Sequence, residues 1–169
     1  MKKLSSRLNL PDRCDMLSPI TALKKYGILP RRMQTEFGFR EHAHTADWEL
    51  EVWAPDLPGL LEQAARGMYA LSGVQLAGGT PQHRSITLQA MDAEGLLVRF
   101  LNELLWLQQE EKLGFDHFSI QVDENCNLQA RLVGTSMLKF DKEIKAVTYN
   151  NLAVKATSRG LSVNIVFDV

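Results

Sequence analysis

Two stretches of this chain carry apolar residues at helical spacing, and its other apolar runs alternate with period two. Leu57, Leu60, Leu61, Ala64, Ala65, Met68 and Leu71 share one helical face. Leu96, Leu97, Phe100, Leu101, Leu104, Leu105 and Leu107 form a second, broader stripe. Around them Trp48/Leu50/Val52, Ile86/Leu88 and Leu161/Val163/Ile165/Phe167 alternate with polar neighbours, the pattern of strands with one buried face. The order is strand, helix, strand, helix, then a run of strands. That order predicts an α+β fold: a largely antiparallel or mixed β-sheet with two long helices packed on one face.

Local signals fix the element ends. Asp56 and Asp92 stand where N-caps belong, and Gly73 stops the first helix. Gly114, after Lys112, is expected to stop the second. Phe115–Val122 and Leu128–Val133 read as a hairpin around Asp123-Glu124-Asn125. Ala146–Tyr149 and Val154–Thr157 read as short strands, and Arg159-Gly160 as the turn into the last one. Trp48, Trp53 and Trp106 lie on or beside apolar periods, so all three are expected in the core rather than on a base-stacking platform.

Residues 1–36 differ from the rest. Pro11, Pro19 and Pro30 punctuate them, no period persists, and one short helix fits at Ser18–Tyr26. The reading is a loosely ordered extension, 1–36, followed by one domain, 37–169. A chain of 169 residues, 45% of them hydrophobic, is long enough for one sizeable core.

Composition narrows the function. A net charge of -1 does not suit a chain that binds DNA or RNA over its whole surface. No apolar run approaches the ~20 residues of a membrane span. Met1-Lys2-Lys3 begins like a signal peptide, but Leu8-Asn9-Leu10-Pro11-Asp12 is no apolar core, so a cytoplasmic location is expected. Cys14 and Cys126 form no CxxC pair, which fits unlinked thiols in a reducing compartment and no zinc site.

The chemistry-bearing residues gather at two ends of the domain. Asp47 precedes the first clear strand, and Asp168 and Val169 end the last one. The α-carboxylate of Val169 is ionised at neutral pH. If first and last strands are neighbours, three carboxylates meet, and such a group repels unless a proton or a hard cation joins it. His42 and His44 make an H-x-H, two rings on one strand face, with Glu41 able to orient His44. His83 and His117 are remote, so zinc is disfavoured. Lys145 sits at a strand entrance after alternating charges, where an ammonium reaches a phosphate or a carboxylate cluster. Gly78-Gly79 lacks phosphate-loop spacing, and no nucleophile elbow appears.

These residues resemble the archease family, activators of RtcB-type RNA ligases. The resemblance runs over Glu41-His42, His44-Thr45-Ala46-Asp47, Leu60–Ala65, Phe100–Leu107, Glu143–Tyr149 and Phe167-Asp168-Val169, with Lys145–Tyr149 as its best signature. It implies an α+β sandwich and a divalent-cation site (calcium, or magnesium or manganese) on Asp47, Asp168 and Val169. Lys145 would be the family's functional lysine, with His44 and Glu41 as further contacts. The implied role is accessory: not an enzyme itself, but a promoter of ligase guanylylation and repeated turnover in tRNA splicing and RNA repair. RNA would be met only through the ligase, and neither membrane nor DNA is an implied partner. The chain departs from the family at Trp48-Glu49, where a small apolar residue and glycine are usual, and at Asn150-Asn151, where a histidine often follows the tyrosine. Extension 1–36 has no counterpart in the resemblance. Two rival readings are a metal-dependent phosphoester hydrolase using His42, His44 and Asp47, and a stand-alone RNA-binding or chaperone-like module.

Overall fold

The computed structural model describes residues 37–43 and 48–169. Extension 1–36, with its expected helix, and His44-Thr45-Ala46-Asp47 lie outside the described residues. The elements are β1 (Gly38–Ala43), β2 (Trp48–Ala54), α1 (Leu57–Ser72), β3 (Gln75–Leu76), β4 (Gln82–Gln89), α2 (Ala93–Glu110), β5 (Leu113–Val122), β6 (Asn127–Lys139), β7 (Ala146–Val147), β8 (Lys155–Thr157) and β9 (Gly160–Asp168).

The α+β class is as expected, but the strands divide into two sheets. One runs β1-β2-β9-β7, with β8 also paired to β9. In the other, β6 pairs with β3, β4 and β5. Every described strand pair is antiparallel. Both helices touch both sheets. Helix α1 packs on β1 and β2 of the first sheet and on β5 of the second, while α2 packs on β4, β5 and β7. The apolar stripe of each helix is therefore broad because it serves more than one partner.

Helix ends follow the caps. Asp56 Oδ1 accepts from Gly59 N at 2.9 Å, and Asp92 Oδ1 from Gly95 N at 2.8 Å. Gly73 closes α1 at φ 67°, its N–H on Ala70 O. Gly114 does not close α2. That helix ends at Glu110 with Glu111 as its cap, Lys112 turns the chain at φ 54°, and Gly114 already lies in β5. The neighbours Leu113 and Phe115 are buried, so burial of a strand face overrides the glycine signal. Gly114 instead makes room for Leu76, whose Cδ2 a Cβ there would meet at 2.5 Å, while Gly134, opposed to Phe115, permits close strand approach: its Cβ would collide with the Gly114 carbonyl and sit 2.6 Å from Phe115 Cα.

The core joins α1, α2 and the inward faces of both sheets, with Phe100, Phe167, Leu50, Leu60, Leu97 and Leu132 among its fully buried side chains. The tryptophans do not all join it. Trp48 is half-buried against the core, with Lys142 Nζ 4.3 Å from its ring centroid. Trp53 sits on the opposite face of β2 under the Arg40 guanidinium, 5.8 Å away. Trp106 is 51% exposed, because the α2 stripe turns its other face inward. Cys126, buried at the β5–β6 turn, is disulfide-bonded rather than free, and its partner lies outside the described residues. The expectation of unlinked thiols is not met at that position. No described helix is long and apolar enough to cross a membrane.

Candidate functional site

Strand β9 alternates strictly. Leu161, Val163, Ile165 and Phe167 are buried, so Ser162, Asn164, Val166 and Asp168 face outward. Phe167 is fully buried and opposes Trp48 on β2 and Val147 on β7. It anchors the strand one residue before the exposed Asp168. First and last long strands are thus neighbours, as the crowding argument required. The described ladder reaches Trp48↔Phe167 and stops there; Asp47 and His44 lie outside the described residues.

Lys145 is held against the end of β9 twice. Its N–H donates to Asp168 O at 2.8 Å, and its Nζ donates to the Val169 main-chain oxygen at 2.9 Å. Three of the expected residues, Lys145, Asp168 and Val169, therefore meet at one exposed corner. The sequence around Lys145 explains its placement. Ile144 and Val147 are buried and pin the run on either side. Helix α2 supplies two polar ties: Asn102 Oδ1 accepts from Val147 N at 3.2 Å, and Gln109 Nε2 donates to Ile144 O at 3.4 Å. Thr148 closes the far side, its N and Oγ1 donating to Val166 O at 3.0 and 3.1 Å. Asn102 and Gln109 carry no motif of their own; the one signal was polar residues interrupting an apolar helix surface.

The histidine and glutamate expectations fare differently. His42 shares its outward face with Glu49 and contacts Glu51, Nε2 to Oε2 3.1 Å, with Arg40 at 3.6 Å from the same carboxylate. Glu41 opposes Leu50, on the other side of β1 from His42. Glu49 accepts from Asn164 Nδ2 at 2.7 Å. Among the described residues no three His, Cys, Asp or Glu side chains converge on one point. The oxygens of Asp168 and Val169 suit a hard cation in kind, with the Lys145 ammonium already on one of them.

Comparison with known proteins follows this geometry. Residues 39–169, nearly the whole described domain, match the model of the Archease protein family (MTH1598/TM1083). The chain belongs to the archease family. It is 32% identical over 136 residues to the archease of Methanosarcina barkeri, covering 75% of this chain and 92% of that one. The Archaeoglobus fulgidus archease is also 32% identical, over 133 residues, covering 75% of this chain and 95% of that one. Two solved structures share the fold. The solution structure of Methanobacterium thermoautotrophicum protein 1598 superposes with TM-score 0.63 at 22% identity, covering 78% of this chain and 99% of that one. A Thermotoga maritima archease, described as a possible chaperone, gives TM-score 0.56 at 19% identity, covering 83% of this chain and all of that one. The archease match takes in the β9 corner and the Lys145 run together, and leaves 1–38 aside.

Proposed function

We propose that this archease activates an RtcB-type RNA ligase through a divalent-cation site at the end of β9. The observation that carries the reading is the double hold of Lys145 on Asp168 and Val169. It places the best family signature, Lys145–Tyr149, against the two oxygen-bearing residues that the family resemblance implicates.

The residues that would hold the ion are Asp168, Val169 and Asp47. The family resemblance names Asp47 as the third member, and the described ladder ends beside it at Trp48↔Phe167. All donors are oxygens, which selects calcium, magnesium or manganese over zinc. The ion would supply a concentrated positive charge that a polyphosphate or an acidic ligase surface can meet. Lys145 holds a second positive charge beside it, and the buried Phe167, Ile144 and Val147 keep both from drifting. The chain itself forms no covalent bond in this reading. Of the residues in the hydrolase alternative only His42 is described, in contact with Glu51.

The test is multiple-turnover RNA ligation by an RtcB-type ligase from the same host, limiting over cleaved RNA, with GTP and manganese. The native chain is expected to raise turnover, and Asp47→Ala/Asp168→Ala to abolish the rise. Equal stimulation by the double variant discards the cation mechanism. No stimulation by either form discards the ligase, and hydrolysis of a phosphoester by the chain alone restores the enzyme reading.

A further inference from the structure

Glu49 on β2 and Asn150-Asn151 after β7 line one cavity of about 450 Å³ on the outward face of the first sheet, with Lys155, Ser162 and Asn164. That volume lies within the range of small-ligand pockets, roughly 300–1,000 Å³.

The cavity arises from a gap in the strand ladder. β7 pairs with β9 at Phe167 and Asp168, and β8 pairs at residues 160–162. Among the described strands, none pairs with residues 163–165 on that side. The connection from β7 to β8 arches over the gap and is held at both ends. A turn closes with Leu152 N on Tyr149 O at 3.3 Å, and Asn151 takes φ 52°, which asparagine tolerates. Asn150 N donates to Thr148 Oγ1 at 3.3 Å, and Val154 N to Glu94 Oε1 of α2 at 2.9 Å. The cleft therefore has a strand floor, an anchored wall of asparagines, and the Glu49–Asn164 pair as its other wall.

Its chemistry excludes several occupants. A three-residue gap closed at both ends admits no added strand. No aromatic residue lines it, so a stacked base or a sugar held on a ring face has no platform. One carboxylate is too few for a cation cage, and a lone phosphate on Lys155 would leave Glu49 and the carboxamide wall unused. What fits is a polyol carrying one anionic group. Carboxamides both donate and accept, as vicinal hydroxyls do, and a carboxylate is the usual partner of a ribose diol. Lys155, in the row of Ser162, stands at the β8 end of the floor. Glu49 opposes Val166, four residues or about 13 Å of strand away. We propose that this cleft binds a vicinal-diol sugar phosphate, Glu49 and Asn164 reading the diol and Lys155 the phosphate.

The inference needs neither ligase nor cation, and its test uses the full chain alone. Amide NMR shifts are followed on titration with AMP, 2′-deoxy-AMP, ribose 5-phosphate and inorganic phosphate. AMP or ribose 5-phosphate is expected to move the Asn150, Asn151 and Asn164 signals. Response to both assigns a free sugar phosphate, and response to AMP alone a nucleotide. Loss of one hydroxyl bonded to a charged acceptor weakens binding by about tenfold or more, so 2′-deoxy-AMP and Glu49→Gln should each show that loss. Lys155→Met should remove the preference for phosphorylated over plain ribose. Unchanged signals outside the cleft confirm that the variants are folded. Equal affinity for AMP and 2′-deoxy-AMP, shifts mapping to another surface, or no response at millimolar ligand overturns the proposal.

Discussion

Phe167 and Asp168 are adjacent, yet substitutions there should separate stability from function almost completely. Phe167 is fully buried, packed between Trp48 and Val147 on the neighbouring strands. Truncation to alanine removes a whole ring from a fully buried site walled by two ladders, which cannot collapse freely. The expected cost is about 3–5 kcal/mol. Against a total stability of about 5–15 kcal/mol this is a large fraction. For a chain of 169 residues, each kcal/mol moves the melting temperature by about 2–4 °C, giving a fall of roughly 6–20 °C. Phe167→Leu keeps the site filled and should lose only about 1–2 kcal/mol. Asp168 is exposed, so Asp168→Asn should stay within about 0.5 kcal/mol of the native protein. The assay is denaturant unfolding followed by circular dichroism, with ligation turnover measured on the same samples. Folded Phe167→Leu is expected to stimulate the ligase and folded Asp168→Asn to fail. A loss below about 1 kcal/mol for Phe167→Ala would refute the anchoring argument, since a fully buried ring cannot be that cheap to delete.

Other outcomes follow from the same geometry. Gly134→Ala forces a methyl into β5 backbone that cannot give way, so denaturant unfolding should show a loss of about 3 kcal/mol or more; a loss under about 1 kcal/mol would mean that β5 shifts bodily. Asp56→Ala and Asp92→Ala each remove a helix cap and should cost about 1 kcal/mol by the same assay. Asp123 accepts from Asn127 side chain and backbone and from Asn125 N, which holds its carboxyl below the usual value. The turn is therefore supported above the unfolded carboxyl range and released as pH falls through the lower folded value. Carboxyl NMR should show that depressed titration, and Asn127→Ala should move it back toward the ordinary value. The Tyr69 phenol is pushed well up by burial, so alkaline absorbance should show it ionising only with unfolding. A divalent cation should raise the native melting temperature, by about 2.7 kcal/mol of added stability at a hundredfold excess over its dissociation constant, and Asp47→Asn should remove the rise; a rise that survives places the ion elsewhere.

Much of this was legible in the sequence. The two helices, the β5–β6 hairpin and the β9 alternation each carry a period or a cap that acts within a few residues. The neighbourhood of β2 and β9 was a conjecture from charge crowding, and the ladder bears it out. What failed was non-local. Gly114 reads as a helix stop until its place in β5, tight against Leu76, is seen. Trp106 reads as core because its neighbours do, yet the α2 stripe leaves it outside. The division into two sheets, the short β3, and the role of Asn102 in fixing Val147 depend on elements far apart in sequence. Of the H-x-H pair only His42 is described, in contact with Glu51.

The pairing of β2 with β9 also has a consequence for the order of assembly. During synthesis β2 emerges early and can form only its hairpin with β1, so one edge stays unpaired until β9 arrives. That wait spans both helices and the entire second sheet. Contacts so distant in sequence form late and slowly, and an open edge is a hazard while they do. The strand that finally covers that edge is the one that carries Asp168. A chain caught before that step therefore has neither a closed first sheet nor the corner proposed to hold the cation, and on that proposal completion of the fold and readiness to act become a single event.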